Sequence, residues 1–544
     1  MKIFAVQRNP TIGDVTGNVK KILDALKKAK EIGADVVLFS ELMVTGYPPE
    51  DLLLDKTFID AVEAQIEVIR PATKGLFVVV GLPRWNPRKK EKPLLNSAAV
   101  FRDGELIGFK DKTLLPTYDV FDERRYFEPG REQPIFEYLG RRIAITICED
   151  VWQHTGTVGY TSYATDPVIE LKDDQLDLML NLSGSPYYFE RKDVRLSVFT
   201  SVAKTLHCPI VLCNQVGCND QIVFDGHSLH LNEKGELLQI AKGFVEDDLI
   251  VDLETHSCPC RIPESGIHDL YSALVLGVKD YFHKQGFSKG LVGLSGGVDS
   301  ALVACIAKEA LGASNVLCIA LPSRFSSPAS YSDAAHLAKN LGVELKKIDI
   351  DSTFQHYLDV LEPHFGGKPY DVTEENLQAR IRGTILMAFS NKFGYILLNT
   401  SNKSEMAVGY STLYGDMCGG LGVISDVTKV QIYQLCRYLN RKGEIIPEAI
   451  IEKAPTAELR PNQKDQDTLP PYELLDLIVG DYIEKLLPVE EIAQKRGVSI
   501  EFVSSLVRKI HTCEYKRRQA PIGIRVTQKA FSKGRNVPIV QNWK

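Results

Sequence analysis

The sequence predicts an α/β protein of two domains. Its 544 residues are too many for one hydrophobic core but suffice for two. Strand and helix patterns alternate along both halves, and in the second half they alternate as in a doubly wound parallel sheet. Residues 254–265 lose this periodicity and contain two prolines. We therefore expect a linker there, between domains at 1–253 and 266–544.

Composition and charge narrow the class of protein. Hydrophobic residues make up 44% of the chain and charged residues 25%, as in an ordinary globular enzyme. The net charge of −6 argues against a nucleic acid as the main partner. The chain opens on a strand pattern and has no apolar stretch of membrane-spanning length, so we expect no signal peptide, no membrane partner and a cytoplasmic location.

The first half begins with a strand pattern at 3–7 and a helix pattern at 18–32, where Val19, Ile22 and Leu26 share one face. Gly33 ends that helix. Asp103-Gly104 predicts a tight hairpin between two later strands. The further elements expected in this half are a strand at 35–41, a helical pattern around 51–70 and strands at 76–82, 97–101, 105–110, 142–147, 209–214 and 249–253.

Three reactive side chains stand at strand ends, where the active-site loops of layered sheets converge. Glu41 ends one strand, Lys112 follows the hairpin, and Cys148 follows the strand at 142–147. A carboxylate can take the proton of a thiol that attacks an amide, and an ammonium stabilises the thiolate and the developing oxyanion. Taken singly, a strand cysteine is usually a small buried hydrophobe, and a lysine after a hairpin is usually a solvated charge.

The neighbouring motifs favour the catalytic interpretation. Ser40-Glu41-Leu-Met-Val-Thr-Gly46-Tyr47-Pro48-Pro49 and Lys112-Thr-Leu-Leu-Pro116 resemble the carbon-nitrogen hydrolase (nitrilase) superfamily, over roughly residues 1–250. The resemblance implies an αββα sandwich. It also implies a catalytic triad of Glu41, Lys112 and Cys148.

In glutamine-using members of this superfamily, further residues hold the substrate. The resemblance places these roles on Tyr118, Ser185 and Arg191, with Arg191 able to pair bidentately with the α-carboxylate of glutamine. Ser185 precedes Pro186 and fits a turn or a helix start equally well. Glu123 is expected to support the triad from behind.

The second half is organised around Ser295-Gly-Gly-Val-Asp-Ser300, between an apolar strand pattern and a helix pattern. Glycines without a Cβ let a phosphate approach the backbone, and the N–H groups of the following helix point at the anion. Because no Gly-Lys-Ser/Thr ending follows, this is not a Walker A loop. The loop resembles that of the N-type ATP pyrophosphatases, which implies ATP cleavage between the α and β phosphates and a Rossmann-like domain.

The other elements of the second half alternate around this loop. We expect a helix at 267–285, strands at 315–321, 344–350 and 395–399, a helix at 330–340, and another helix starting near Lys429. Asp299 and Glu405 are candidates to share one Mg²⁺ on the ATP phosphates. Glu405 is equally compatible with a first-turn helix acid that interacts with the dipole.

Taken together, the motifs resemble the glutamine-dependent NAD synthetase family over essentially the whole chain. The resemblance implies that deamido-NAD⁺ is adenylated by ATP and amidated with ammonia from glutamine, giving NAD⁺, AMP, pyrophosphate and glutamate. It implies a homo-oligomer with a dimeric synthetase core, which a larger octamer could contain. Another glutamine-dependent adenylating amide ligase is the alternative.

The same resemblance assigns the nucleotide contacts. It places ATP at Ser295, Gly296, Gly297, Val298, Asp299, Ser300, Thr400, Lys429 and Thr456. It places deamido-NAD⁺ at Asn376, Arg380, Glu405, Asp416 and Lys516. Cys418 departs from the family pattern and adds a thiol near the nucleotide.

Overall fold

The structure is a computed structural model that describes residues 1–88, 90–156, 162–255 and 258–543. The chain forms two compact units, Met1–Gly266 and Ile267–Lys544. His256 and Ser257, in the predicted linker, lie outside the described residues. None of the helices in the described ranges combines the length and the apolar character that crossing a membrane requires.

The described residues of the first unit form two six-stranded sheets and a two-stranded ribbon. Its strands are Lys2–Gln7 (β1), Val36–Phe39 (β2), Phe77–Trp85 (β3), Leu94–Arg102 (β4), Glu105–Asp111 (β5), Ile135–Tyr138 (β6), Arg141–Ile147 (β7), Leu178–Ser183 (β8), Ile210–Asn214 (β9), Val216–Asn219 (β10), Ile222–Asp225 (β11), Leu229–Leu231 (β12), Leu237–Ile240 (β13) and Asp247–Asp252 (β14). Its helices are Val15–Glu31 (α1), Lys56–Glu63 (α2), Gln65–Ile69 (α3), Pro167–Glu170 (α4) and Arg191–Leu206 (α5).

The two large sheets pack face to face. Their strand orders are β14-β1-β2-β3-β4-β5 and β13-β12-β9-β8-β7-β6. Alternate residues of β1 to β4 and of β7 to β9 fill one core between them, including Leu38 and Leu180. Ile22 and Leu26 of α1 cover the outer face of one sheet. Val198 and Val202 of α5 cover the other, which confirms the expected αββα sandwich.

The helical pattern around 51–70 is not one helix. It forms a 3-10 turn at Glu50–Leu54 followed by α2 and α3. Asp55, which lies between the 3-10 turn and α2, has an extended backbone, and its Oδ1 accepts from the Thr57 amide at 2.8 Å. Because an N-cap residue must leave helical geometry to bind these amides, the chain breaks there.

The second unit is built on one five-stranded sheet. Its strands are Gly290–Gly293 (β15), Val316–Ala320 (β16), Glu344–Lys347 (β17), Ile396–Asn399 (β18) and Leu421–Gly422 (β19). Its helices are Ile267–His283 (α6), Val298–Leu311 (α7), Pro328–Leu341 (α8), Asp351–Phe365 (α9), Val372–Phe393 (α10), Lys403–Val408 (α11), Lys429–Asn440 (α12), Glu448–Glu452 (α13), Tyr472–Val479 (α14), Val489–Arg496 (α15), Ile500–Thr512 (α16) and Glu514–Arg517 (α17).

All pairings in this sheet are parallel, in the order β17-β16-β15-β18-β19, as predicted for a doubly wound sheet. Phe354 of α9 and Ile381 of α10 pack on one face, and α7 lies against β15 and β16. The strand order reverses at β15. A crevice therefore opens at the carboxyl ends of β15 and its neighbours, where ligands of such sheets bind.

Candidate active sites

Glu41, Lys112 and Glu123 meet in the interior of the first unit. The Lys112 ammonium donates to Glu41 Oε1 and to Glu123 Oε1, each at 2.7 Å. Lys112 and Glu41 are fully buried. Burial opposes the charge on Lys112, but the carboxylates of Glu123 and Glu41 outweigh it and raise the pKa of Lys112 well above its usual value. The lysine is therefore a fixed cation.

Cys148 joins these residues from the end of β7. It starts a 3-10 turn, Cys148–Val151, and has a positive φ of 41°. Burial and the charge of Glu41 raise the pKa of Cys148, whereas Lys112 lowers it. Without a base the thiol stays protonated, so the site needs the proton acceptor that Glu41 supplies. The three residues predicted from strand ends are thus brought into one buried cluster.

Several groups that hold this cluster in place were not predicted from the sequence. Asn96 Nδ2 donates to Glu41 Oε1 at 2.8 Å, and the Gly184 amide donates to Glu41 Oε2 at 2.9 Å. Asp150 Oδ1 accepts from the amides of Thr113 and Leu114, and so binds the turn after Cys148 to the segment after Lys112. A buried amide in a strand and a backbone N–H carry no pattern that a single sequence reveals.

Two of the three residues predicted to bind glutamine contact the chain that follows Cys148. Tyr118 OH donates to the carboxylate of Glu149, the residue after the cysteine, at 3.0 Å. The Arg191 guanidinium stacks 3.7 Å from the centre of the Trp152 ring. The Ser185 amide donates to Asn214 Oδ1 at 2.9 Å. Burial raises the pKa of Glu149, while Lys112 and hydrogen bonds from the hydroxyls of Tyr163 and Tyr118 lower it. Glu149 is a buried carboxylate beside Cys148 that was not predicted.

The loop at 295–300 lies in the second unit, between β15 and α7, as predicted. Ser295 Oγ contacts Ser300 Oγ at 3.1 Å and accepts from the Gly297 amide at 3.2 Å. Gly296 has φ of 81°, and a Cβ on it would lie 2.2 Å from the Ser330 carbonyl oxygen. Gly297 caps α7 without a side-chain hydrogen bond, so the first N–H groups of α7 face the crevice.

Asp299, Glu405 and Lys429 form a charged group beside this loop. Lys429 Nζ donates to Asp299 Oδ2 at 2.6 Å and to Glu405 Oε1 at 3.3 Å. Burial raises the pKa of Glu405 to about 8, Lys429 opposes this shift, and Asp299 adds to it. Two converging carboxylates next to a phosphate loop fit Mg²⁺, which in such sites binds one or two carboxylates together with substrate phosphates.

A cavity of about 320 Å³ opens at these strand ends. Apart from Gly296, all predicted ATP-binding residues line it, including Thr400, Lys429 and Thr456. Cys418 lines it as well, and burial raises the pKa of its thiol to about 11. The residues that the resemblance assigned to ATP are thus brought together around one cavity.

The residues predicted for deamido-NAD⁺ surround the segment 409–416. Glu405 and Asp416 line the cavity, and desolvation among the packed residues raises the pKa of Asp416 to about 6. The Asn376 side chain accepts from Thr412 Oγ1 at 2.6 Å. Arg380 and Lys516 donate to backbone carbonyls of the same segment, at 2.7–3.2 Å.

The cavity also holds groups that the sequence analysis did not single out. Arg382 donates from Nε to the Leu321 carbonyl at 2.9 Å, and burial lowers its pKa to about 10. Glu458 Oε1 accepts from Ser330 Oγ and from Lys453 Nζ, each at 2.7 Å. Arg382 lies two residues after the predicted Arg380, and only the helix register shows which of the two enters the cavity.

Comparisons with known proteins agree with this division of the chain. The carbon-nitrogen hydrolase family model matches residues 2–258, and the NAD synthase model matches residues 270–520. A glutamine-dependent NAD(+) synthetase of Synechocystis sp. is 44% identical over 99% of this chain and 98% of its own length. The chain belongs to the glutamine-dependent NAD(+) synthetase family.

Other members of the glutamine-dependent NAD(+) synthetase family match over the whole chain too. The Thermotoga maritima synthetase is 41% identical, with 100% of this chain and 99% of the relative covered. The solved structure of the Acinetobacter baumannii synthetase in complex with ADP is 38% identical, has a TM-score of 0.77 and covers 100% of this chain and 99% of its own. Both units therefore have counterparts in one family.

Proposed function

We propose that the chain makes NAD⁺ from deamido-NAD⁺ and ATP, with glutamine as the source of ammonia. The observation that carries this proposal is the pair of sites on one chain. The first unit holds a buried Glu-Lys-Cys cluster, and the second holds a phosphate loop beside two carboxylates and a nucleotide-sized cavity. Amidase residues alone would fit a freestanding hydrolase, and the second site alone would fit any adenylating enzyme.

In the first unit, Glu41 takes the Cys148 proton and the thiolate attacks the amide carbon of glutamine. Lys112 stabilises the oxyanion, since its ammonium is held at the base of the site by two carboxylates. The C–N bond breaks, and ammonia leaves with the proton that Glu41 returns. Water then hydrolyses the thioester and releases glutamate. Tyr118, Ser185 and Arg191 are the proposed glutamine contacts.

In the second unit, the deamido-NAD⁺ carboxylate attacks the α phosphate of ATP and pyrophosphate leaves. The loop from Ser295 to Ser300 and the N-terminus of α7 bind the phosphates through N–H and hydroxyl groups. Bound at Asp299 and Glu405, Mg²⁺ would neutralise phosphate charge. Lys429 carries a further positive charge at the same place. Ammonia then attacks the adenylate, giving NAD⁺ and AMP.

The remaining assignments belong to the same proposal. Thr400 and Thr456 contact ATP, and Asn376, Arg380, Glu405, Asp416 and Lys516 contact deamido-NAD⁺. The amidase domain spans 1–253 and the synthetase domain 266–544. A homo-oligomeric, cytoplasmic enzyme that delivers ammonia internally completes the proposal, on the strength of the sequence resemblance and composition.

The test measures NAD⁺ formation from deamido-NAD⁺ and ATP with either glutamine or ammonium. We expect Cys148→Ala to abolish the glutamine-driven reaction, because the variant lacks the nucleophile beside Glu41, and to retain the ammonium-driven reaction. Cys260→Ala is the matched control and should keep both reactions, since this cysteine is exposed and is not among the residues of either site. If the wild type converts ATP to AMP only with another carboxylate acceptor, the proposed adenylation by ATP stands and the assignment of deamido-NAD⁺ as the substrate is wrong.

A further inference from the structure

Another buried ion pair of the first unit joins α5 to β11 near the amidase site. Arg195 of α5 and Asp225 at the end of β11 are each 1% exposed. Arg195 donates from Nη2 to Asp225 Oδ1 at 2.8 Å and from Nη1 to Oδ2 at 3.2 Å. Burial opposes the charge on Asp225, but Arg195 and His227 outweigh it and hold its pKa well below the usual range. Asp225 is therefore held in its charged form beside the Arg195 guanidinium.

The Arg195 guanidinium reaches beyond Asp225 to the chain at 184–185. Its Nη2 lies 3.5 Å from both the carbonyl oxygen and the hydroxyl of Ser185. Asn214 Oδ1 accepts from the backbone amide of Ser185, and Asn214 Nδ2 donates to the Gly226 carbonyl at 2.9 Å. Gly226 follows Asp225 directly and also accepts from Arg195 Nη1. Arg195, Asp225, Gly226 and Asn214 thus form one hydrogen-bonded network that contacts Ser185.

This network bears on catalysis through Gly184, whose amide donates to Glu41 Oε2 at 2.9 Å. A Cβ at position 184 would lie 3.1 Å from the Tyr47 ring, so the segment fits closely between the network and the Glu41 carboxylate. A shift of the segment would move a hydrogen-bond donor of the base and a proposed glutamine contact together. Misplacement of such groups by about 1 Å can cost two orders of magnitude in rate.

We propose that Arg195, oriented by Asp225, is a positioning residue of the amidase site. It fixes the Gly184–Ser185 segment, and through it both the Glu41 carboxylate and the glutamine-binding hydroxyl. A buried Arg–Asp pair that only anchors α5 would affect the amount of folded enzyme and nothing else. The inference rests on the proposed glutaminase activity, and it goes beyond that activity by adding residues outside the substrate contacts.

The test uses Arg195→Lys in the full chain. Lysine keeps the positive charge beside Asp225, but a single ammonium cannot form the bidentate pair and reach Ser185 as well. We expect the kcat of glutamine-driven NAD⁺ formation to fall about tenfold or more and the KM for glutamine to rise about threefold or more. The ammonium-driven reaction stays at the wild-type rate and reports that the second unit is folded.

Arg8→Lys provides the matched control. Arg8 forms a comparable ion pair in the same unit, at 2.7 Å from Asp248 Oδ1, with both side chains about 15% exposed. We expect it to leave kcat and KM for glutamine unchanged. Asp225→Asn is the second variant, in case the lysine substitution disturbs folding, and it should reproduce the combined change in kcat and KM.

The separate changes in kcat and in KM for glutamine distinguish a positioning role of Arg195 from a loss of folded enzyme. Loss of folded enzyme lowers the apparent kcat and leaves KM unchanged, so an unchanged KM in both variants would overturn the proposal. Wild-type values of both constants in Arg195→Lys would overturn it as well. If the wild type itself uses no glutamine, the proposed function fails along with this inference, and that outcome is visible before any variant is made.

Discussion

Lys112 is bound by two carboxylates where one would balance its charge. Glu41 faces the proton that must leave Cys148, whereas Glu123 receives hydrogen bonds from Lys112 and from Tyr47 OH, each at 2.7 Å. Burial raises the pKa of Glu123 to about 7, with Lys112 opposing the shift. The second carboxylate is therefore costly to ionise. Its benefit is that it holds the lysine ammonium from a second side, so that the orientation of Lys112 does not depend on Glu41 alone.

This cost has a measurable pH dependence. A carboxyl group whose pKa is about 7 in the folded state and 4.5 unfolded binds its proton more tightly when folded, so stability falls as pH rises from 4.5 to 7. Glu123→Gln removes this titration. We expect the variant to gain stability relative to the wild type as the pH rises from 5 to 7. The difference in their melting temperatures should increase, and the corresponding difference in the free energy of unfolding should grow by about 1–3 kcal/mol.

Thermal unfolding at pH 5, 6 and 7 tests this, with Glu128→Gln as the control. Glu128 lies shortly after Glu123 in the chain. Among the described contacts, its carboxylate accepts only from the Lys92 amide, at 3.3 Å. A difference between variant and wild type that stays constant across the three pH values would contradict the pKa assigned to Glu123.

Which of these residues the sequence could reveal depends on their chemistry. Glu41, Lys112 and Cys148 combine reactive types with strand ends and known motifs, so they were predictable. Asn96 and Arg195 were not, because an amide in a strand and an arginine in an amphipathic helix also fit ordinary packing. Their roles follow from long-range register, such as the 55 residues that separate Asn96 from Glu41.

The strand–loop–helix element from β15 to α7 depends on backbone geometry more than on side chains. Gly296 combines a positive φ with close packing against the Ser330 carbonyl. Both features keep the loop close to α8, so that the N-terminus of α7 stays open toward the cavity. An L-residue at position 296 must distort the loop or push α8 away.

We therefore expect Gly296→Ala to reduce NAD⁺ formation at least about 100-fold with glutamine and with ammonium alike, since a displaced loop impairs every step that uses ATP. Gly312→Ala is the control. Gly312 ends the same helix at a similar φ of 83°, but a Cβ at this position would meet no described atom within 4 Å. It should cost about 1 kcal/mol of stability and leave the rates unchanged. Equal activity in the two variants would contradict the role of the loop.

Elements with strong periodicity were predicted to within a few residues, as α1 and β16 illustrate. The ribbon β10–β11 and the short strands β12 and β13 were not, because strands of three or four residues offer too few alternations to distinguish from a loop. The helical pattern predicted around 51–70 is helical in the structure but is divided into shorter pieces. Its apolar spacing continues across Asp55, where a local cap overrides it.

For the molecule as a whole, the protonation of ammonia favours joining two chemistries in one chain. Free ammonia at neutral pH is mostly ammonium, which has no lone pair to attack an adenylate. An enzyme that releases ammonia from glutamine and passes it on before it equilibrates with water keeps the nucleophile active. Internal delivery is thus the physical advantage that the proposed function predicts for this chain over two separate enzymes.

An ammonium-consuming system in the assay tests this delivery. Glutamate dehydrogenase with 2-oxoglutarate and NADPH removes ammonium from bulk solution, and NAD⁺ is measured by chromatography. At matched initial rates, we expect the scavenger to abolish NAD⁺ formation from added ammonium and to leave glutamine-driven formation within about twofold of its original rate, because the nitrogen never enters the bulk. Cys148→Ala supplied with ammonium verifies that the scavenger works. If scavenging lowers both reactions equally, ammonia passes through the solvent, and the two sites act as independent enzymes on one chain.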